Sequence, residues 1–194
     1  MTRLLIKYAK AADAALLSHR ETMRILERAL RRSDLPMVYS SGFNPRPRMS
    51  FAPALPLGVA ADAEYMEVAV ETQVDTTETR KRINGALPVG LTVSDVQVMS
   101  DNMPKLSKWT RYGLYRITGQ NEDMLLLLQL GGDKQGRLRD ALEKISERLG
   151  RTVGVQEATR VGLYASRYEV LEDVGGTVYE YDGEYGRLEE MAGE

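Results

Sequence analysis

The chain has 194 residues, no cysteine, a hydrophobic fraction of 43% and a formal net charge of −2. That length suits one large domain or two small ones, and the composition excludes a wholly disordered chain. Without thiols there can be no disulfide, thiolate metal site, iron–sulfur ligation or cysteine nucleophile within the chain.

The opening Met1-Thr2-Arg3-Leu4-Leu5-Ile6-Lys7 is too short in apolar residues for a signal-peptide core. No later run approaches the ~20 apolar residues of a membrane span, so the cytoplasm is the expected compartment. Arg3–Ala9 alternates as a strand, with Leu4, Ile6 and Tyr8 on one face. Ser18 then stands as an N-cap with Glu21 three positions on, the capping-box pattern, and predicts a helix running to about Arg32. Met37–Ser41 reads as a short strand and Glu64–Glu71 as a longer one. A helix over Thr76–Leu87 and a strand over Leu91–Met99 complete a β-α-β-β-α-β order, the pattern of a ferredoxin-like unit in residues 1–100.

A smaller β-β-α-β unit is expected over residues 105–167, giving an α+β chain as a whole. Its strands fall at Trp109–Thr118, within Asp123–Leu130 and at Gln156–Ala165. Its helix, Arg137–Leu149, is amphipathic and ends at Gly150. Whether this unit stands alone or packs onto the first sheet is left open by the pattern. Residues 168–194 are acidic and rich in Gly and Tyr, and Val178-Tyr179-Glu180-Tyr181 permits either a hairpin strand or a mobile terminus.

The small net charge hides an asymmetry. Residues 1–60 carry ten Lys/Arg against four Asp/Glu (+6), and residues 61–167 carry fifteen of each. Residues 168–194 carry one Arg against nine acids (−8). A basic head with an acidic tail suits a surface that binds polyanions. At 100° per residue, Met23, Leu26, Ala29 and Leu30 share one side of the first helix, while Arg20, Arg24, Arg28, Arg31 and Arg32 gather on the other. Arginine without lysine favours bidentate contact with phosphate or carboxylate. The connection that follows, Tyr39-Ser40-Ser41-Gly42-Phe43-Asn44-Pro45-Arg46-Pro47-Arg48, interleaves aromatic, proline and arginine residues. Tyr39 and Phe43 suit stacking on bases, and Asn44, Arg46 and Arg48 suit contacts beside them. His19 and Glu21 form the weak alternative of an acid–base pair. No Walker loop, dinucleotide fingerprint, nucleophile elbow or metal motif accompanies them.

These residues carry a resemblance. Ser18-His19, Arg28-Ala29-Leu30-Arg31-Arg32, Leu35-Pro36, Tyr39-Ser40, Gly42-Phe43-Asn44-Pro45-Arg46-Pro47, Ser50-Phe51-Ala52 and Pro56-Leu57-Gly58 resemble the radical-SAM-linked protein family. That family is a bacterial domain of unknown function, free-standing or fused behind a radical SAM domain. The similarity covers about residues 3–70, and departs where the family's Leu-Asp after Ser-His is here Arg20-Glu21. It implies a radical SAM protein as partner, carrying the iron–sulfur cluster and S-adenosylmethionine that this chain does not bind. The expected function is that of a non-catalytic partner that binds or presents RNA through the arginine-rich helix and loop. The alternatives are docking on an acidic protein surface, or an enzyme acting on an anionic substrate through His19.

Overall fold

The computed structural model describes residues 1–100, 102–132, 135–174 and 177–191. Among them the chain is α+β, with nine strands in one mixed sheet. The strands are β1 Thr2–Lys10, β2 Met49–Phe51, β3 Ala60–Val70, β4 Leu91–Val98, β5 Tyr112–Ile117, β6 Met124–Gln129, β7 Ala158–Tyr164, β8 Val178–Asp182 and β9 Arg187–Met191. The helices are α1 His19–Arg32, α2 Thr76–Ala86, α3 Leu106–Trp109, α4 Leu138–Leu149 and α5 Arg167–Val174. The strand order is β4-β1-β3-β7-β5-β6-β8-β9, with β2 on the edge of β3. No helix among the described residues is long and apolar enough to cross a membrane.

Local sequence explains the helix ends. Ser18 Oγ accepts from the Glu21 amide while the Glu21 carboxylate accepts from the Ser18 amide at 2.8 Å, so the reciprocal capping box forms as its spacing predicts. Asp75 caps α2 by accepting from the Glu78 amide at 2.9 Å. Gly150 closes α4 at φ 63°, a left-handed conformation that a β-carbon disfavours. The buried face of α1 is Thr22, Leu26, Ala29 and Leu30. Thr22 takes the place expected of Met23, because its hydroxyl donates to the Ser18 carbonyl at 3.0 Å and so enters the core satisfied.

The second strand is displaced from its expected position. Residues 37–41 form only isolated bridges, Met37 to Val70 and Tyr39 to Pro47, and the paired strand is Met49–Phe51. The Tyr39–Pro47 ladder does not extend because the next donors are used elsewhere, the Arg46 amide on Ser40 Oγ and the Val38 amide on the Ala69 carbonyl. The third strand also begins earlier, at Ala60 instead of Glu64. In the acidic region, the β8–β9 hairpin forms the sheet edge opposite β4, and α5 packs on a face of the sheet.

Two apolar cores lie side by side on the sheet. One joins Leu4, Ile6, Met66, Val68 and Val70 to Leu26 and Leu30 of α1 and Ile83 of α2. The other joins Tyr115, Ile117, Leu126 and Leu128 to Leu138, Leu142 and Ile145 of α4. The opposite face is covered in part by Leu106 of α3 and Val170 of α5. Each such aliphatic burial stabilises the fold by about 1.5–3 kcal/mol.

Between the two cores runs a buried polar row. Tyr8 sits opposite Glu64 in the β1–β3 register, and Tyr115 sits opposite Arg160 in the β5–β7 register. Facing residues on paired strands share a side of the sheet. A register slip between Tyr8 and Lys10 keeps Lys10 and Ala61 on that side too, and Ala61 faces Arg160. Arg160 Nε and Nη2 donate to the two Glu64 oxygens at 2.5 Å each, and Nη2 also donates to the Pro53 carbonyl at 3.0 Å. Arg160 is 0% exposed and Glu64 4%. Burial works against the Arg160 charge, and the Glu64 carboxylate with Tyr115 more than restores it.

Backbone pairing across this seam is short, covering only Ala60 with Thr159 and Ala61 with Arg160. The ion pair is therefore the main polar link between the halves. Arg160→Met should cost about 3–5 kcal/mol in urea unfolding, because it strands a buried carboxylate. Glu64→Leu combined with Arg160→Met should recover most of that loss. A double variant no more stable than the single one would contradict this account.

Candidate nucleic-acid interface

The capping box fixes where α1 begins, and its buried face fixes the helix rotation. Arg24, Arg28, Arg31 and Arg32 are all exposed as a result. They do not all point freely to solvent. Arg31 donates to Glu27 at 2.8 Å, and its guanidinium lies 5.7 Å from the centre of the Tyr39 ring. Arg32 donates to the Ala86 carbonyl at the end of α2 at 2.6 Å. Arg24 and Arg28 make no side-chain hydrogen bond or ion pair among the described residues, and neither do Arg46 and Arg48.

Residues 39–47 form a projecting hairpin. Ser40 N donates to the Arg46 carbonyl at 2.8 Å, and the Arg46 amide donates to Ser40 Oγ at 3.0 Å. Below it, Val38 N donates to Ala69 O at 2.8 Å, Ala69 N to Arg48 O at 2.9 Å and Arg48 N to Val38 O at 2.8 Å. The base is therefore knitted onto the end of β3. Gly42 turns the tip at φ 125°, a conformation that favours glycine, and the next residue is Phe43. Phe43 is fully exposed, and Asn44, Arg46 and Arg48 are exposed beside it. Tyr39 is 40% exposed beside Arg31. The Arg31–Tyr39 contact thus brings helix and hairpin, read separately in the sequence, into one surface.

The acid–base pair is placed differently. Both Glu21 contacts with Ser18, from its Oγ at 2.6 Å and its amide, hold the Glu21 carboxyl below the ordinary carboxylate value. That carboxylate is engaged in capping the helix. The His19 ring is half-buried and meets Phe51 edge-on, with centroids 5.9 Å apart. Burial lowers the His19 pKa, Glu64 opposes that, and Arg160 and Lys10 reinforce it. Phe51, unlike Phe43, packs against the first core. No group of three or more His, Cys, Asp or Glu residues that could hold a metal stands together among the described residues.

Three residues with structural weight at this end of the molecule were not singled out from sequence. Lys10 is buried, and its amine donates to the carbonyls of Ala15 at 3.3 Å and Leu17 at 2.6 Å, just before the Ser18 cap. Burial lowers its pKa. Glu64 and Arg160 are the other two. Neither carries a local sequence signal, since their partners lie up to 107 residues away.

Over residues 3–170 the chain matches the family described as an uncharacterized protein conserved in bacteria, DUF2344. The chain belongs to this family. The DUF2344 match takes in α1, the hairpin and Arg160, and ends within α5. No curated protein matches the chain.

The depressed His19 pKa has a pH consequence. A histidine that resists protonation when folded gives stability that is complete above its ordinary pKa of 6.5 and is lost as pH falls toward the folded value. Between about pH 7.5 and about pH 5.5 the urea midpoint should fall, and His19→Asn should fall by less. An equal fall in both proteins would mean that His19 does not contribute.

Proposed function

We propose that this DUF2344 protein is a non-catalytic RNA-binding protein that holds its ligand across the exposed face of α1 and the Phe43 hairpin. One observation carries the reading: four exposed guanidiniums with no partner among the described residues, those of Arg24, Arg28, Arg46 and Arg48, accompany a fully exposed aromatic ring. Exposed arginine suits phosphate contact, and an exposed ring suits base stacking. Arg31 and Arg32 act differently, the first fixing Tyr39 and the second tying α1 to α2. We read residues 1–100 as a ferredoxin-like unit, supported by the antiparallel order β4-β1-β3-β2 with α1 and α2 packed on the same core. The resemblance to radical-SAM-linked proteins extends the proposal. A radical SAM partner supplies the cluster and S-adenosylmethionine, and this chain presents the nucleic acid to it.

Docking on a protein is the second reading, and a different surface favours it. Ala11 N donates to Gly90 O at 2.9 Å and Gly58 N to Ala15 O at 3.0 Å. Those bonds gather the exposed Leu16, Leu57 and Val89 into one neighbourhood.

Titration of a labelled mixed-sequence RNA by fluorescence anisotropy at two salt concentrations tests the RNA reading. Affinity should fall steeply with salt, and Arg28→Ala should reduce the slope by about one counterion. Affinity indifferent to salt contradicts the reading, and absence of binding at low salt moves the assignment to the protein-docking surface.

A further inference from the structure

We infer that the hairpin selects unpaired nucleotides, with Phe43 stacking on a base freed from the duplex, while the arginines hold the backbone whatever its pairing. The inference rests on the RNA-binding reading and adds the class of RNA to it.

The two parts of the surface have different chemistry. Guanidiniums on α1 recognise phosphates, which single strands and duplexes both present. The hairpin tip presents an aromatic ring with no apolar partner among the described residues. Phe43 stands beyond the last cross-hairpin bond, that between Ser40 and Arg46, and belongs to none of the apolar clusters of the fold. Phe51, the other phenylalanine, is half-buried against the first core, so exposure is particular to position 43.

A ring in that position has few uses on an A-form duplex. Stacked bases offer their faces only at helix ends, and the major groove is too deep and narrow for side chains to read. An unpaired base offers an open π-face, and stacking is tolerant of sequence because every base has one. The support beneath the tip matters as well. Pro45 and Pro47 restrict the backbone, the Ser40–Arg46 bonds close the hairpin, and Arg31 against Tyr39 anchors its base to α1. Little freedom is then left to lose when a base stacks, which favours binding. Arg46, two residues past Asn44, is placed to meet the phosphate beside the stacked base.

The test uses the full chain and two probes, a single-stranded RNA of mixed sequence about twelve nucleotides long and the same strand annealed to its complement. The wild-type protein should prefer the single strand. Phe43→Ala should weaken single-strand binding about fivefold to a hundredfold and leave duplex binding unchanged, abolishing the preference. Phe43→Trp should retain it. Arg28→Ala should weaken both probes by the same factor. Because Phe43 is fully exposed, Phe43→Ala should keep the wild-type Tm, which confirms that the loss is not unfolding. Equal wild-type affinity for the two probes overturns the inference and leaves the RNA reading standing. So does a Phe43→Ala variant that loses both probes equally. No binding of either probe overturns both.

Discussion

Arg160 and Glu64 form the contact on which the rest of the structure depends. An arginine with no exposed surface needs partners in all its donor directions, because an unpaired buried charge costs several kcal/mol. Here they come from three separate parts of the chain: the Glu64 carboxylate on β3, the Tyr115 hydroxyl on β5 at 3.5 Å, and the Pro53 carbonyl in the connection before β3. The two halves of the sheet share only a short backbone pairing at this point. One guanidinium thus fixes how the α1 core and the α4 core stand side by side, and holds the proline-rich connection across the gap between them.

The basic face follows from that arrangement. Lys10, on the same side of the sheet, bonds the carbonyls of Ala15 and Leu17 and so sets the chain just ahead of the Ser18 cap. From there the capping box starts α1, the Thr22–Leu26–Ala29–Leu30 face fixes its rotation, and the arginines turn outward. At the other end of the helix Arg31 reaches Tyr39, and the hairpin rises from its own three-bond link with β3. Charges that the fold needs are buried and paired, as with Lys10, Glu64 and Arg160. Arg24, Arg28, Arg46 and Arg48 are exposed and carry no side-chain bond or ion pair among the described residues.

Local chemistry made much of this legible in sequence. Ser18 and Glu21 announced the start of α1 and Gly150 the end of α4, because each signal acts within four residues. The alternation of Leu4, Ile6 and Tyr8 marked their shared buried face for the same reason. Position 37–41 misled because strand composition says nothing about where its partners' donors go, and here the Arg46 amide turns to Ser40 Oγ and the Val38 amide to Ala69 O. The four-residue α3 and the α5 helix escaped notice because neither is long enough to show helical periodicity. The arginine stripe and the aromatic hairpin could each be named from sequence, but their union through Arg31 and Tyr39 could not. The Glu64–Arg160 pair lay furthest out of reach, since a contact across 96 residues leaves no local pattern.

Ultraviolet crosslinking of a bound RNA, followed by mass mapping of the modified peptide, tests the central claim most directly. Aromatic rings stacked on bases are the groups expected to couple, and trypsin should release Tyr39 and Phe43 together in the fragment spanning residues 33–48. The account predicts that the RNA adduct sits on this fragment and disappears in Phe43→Ala. Adducts confined to residues 112–191, on the far half of the sheet, would contradict it.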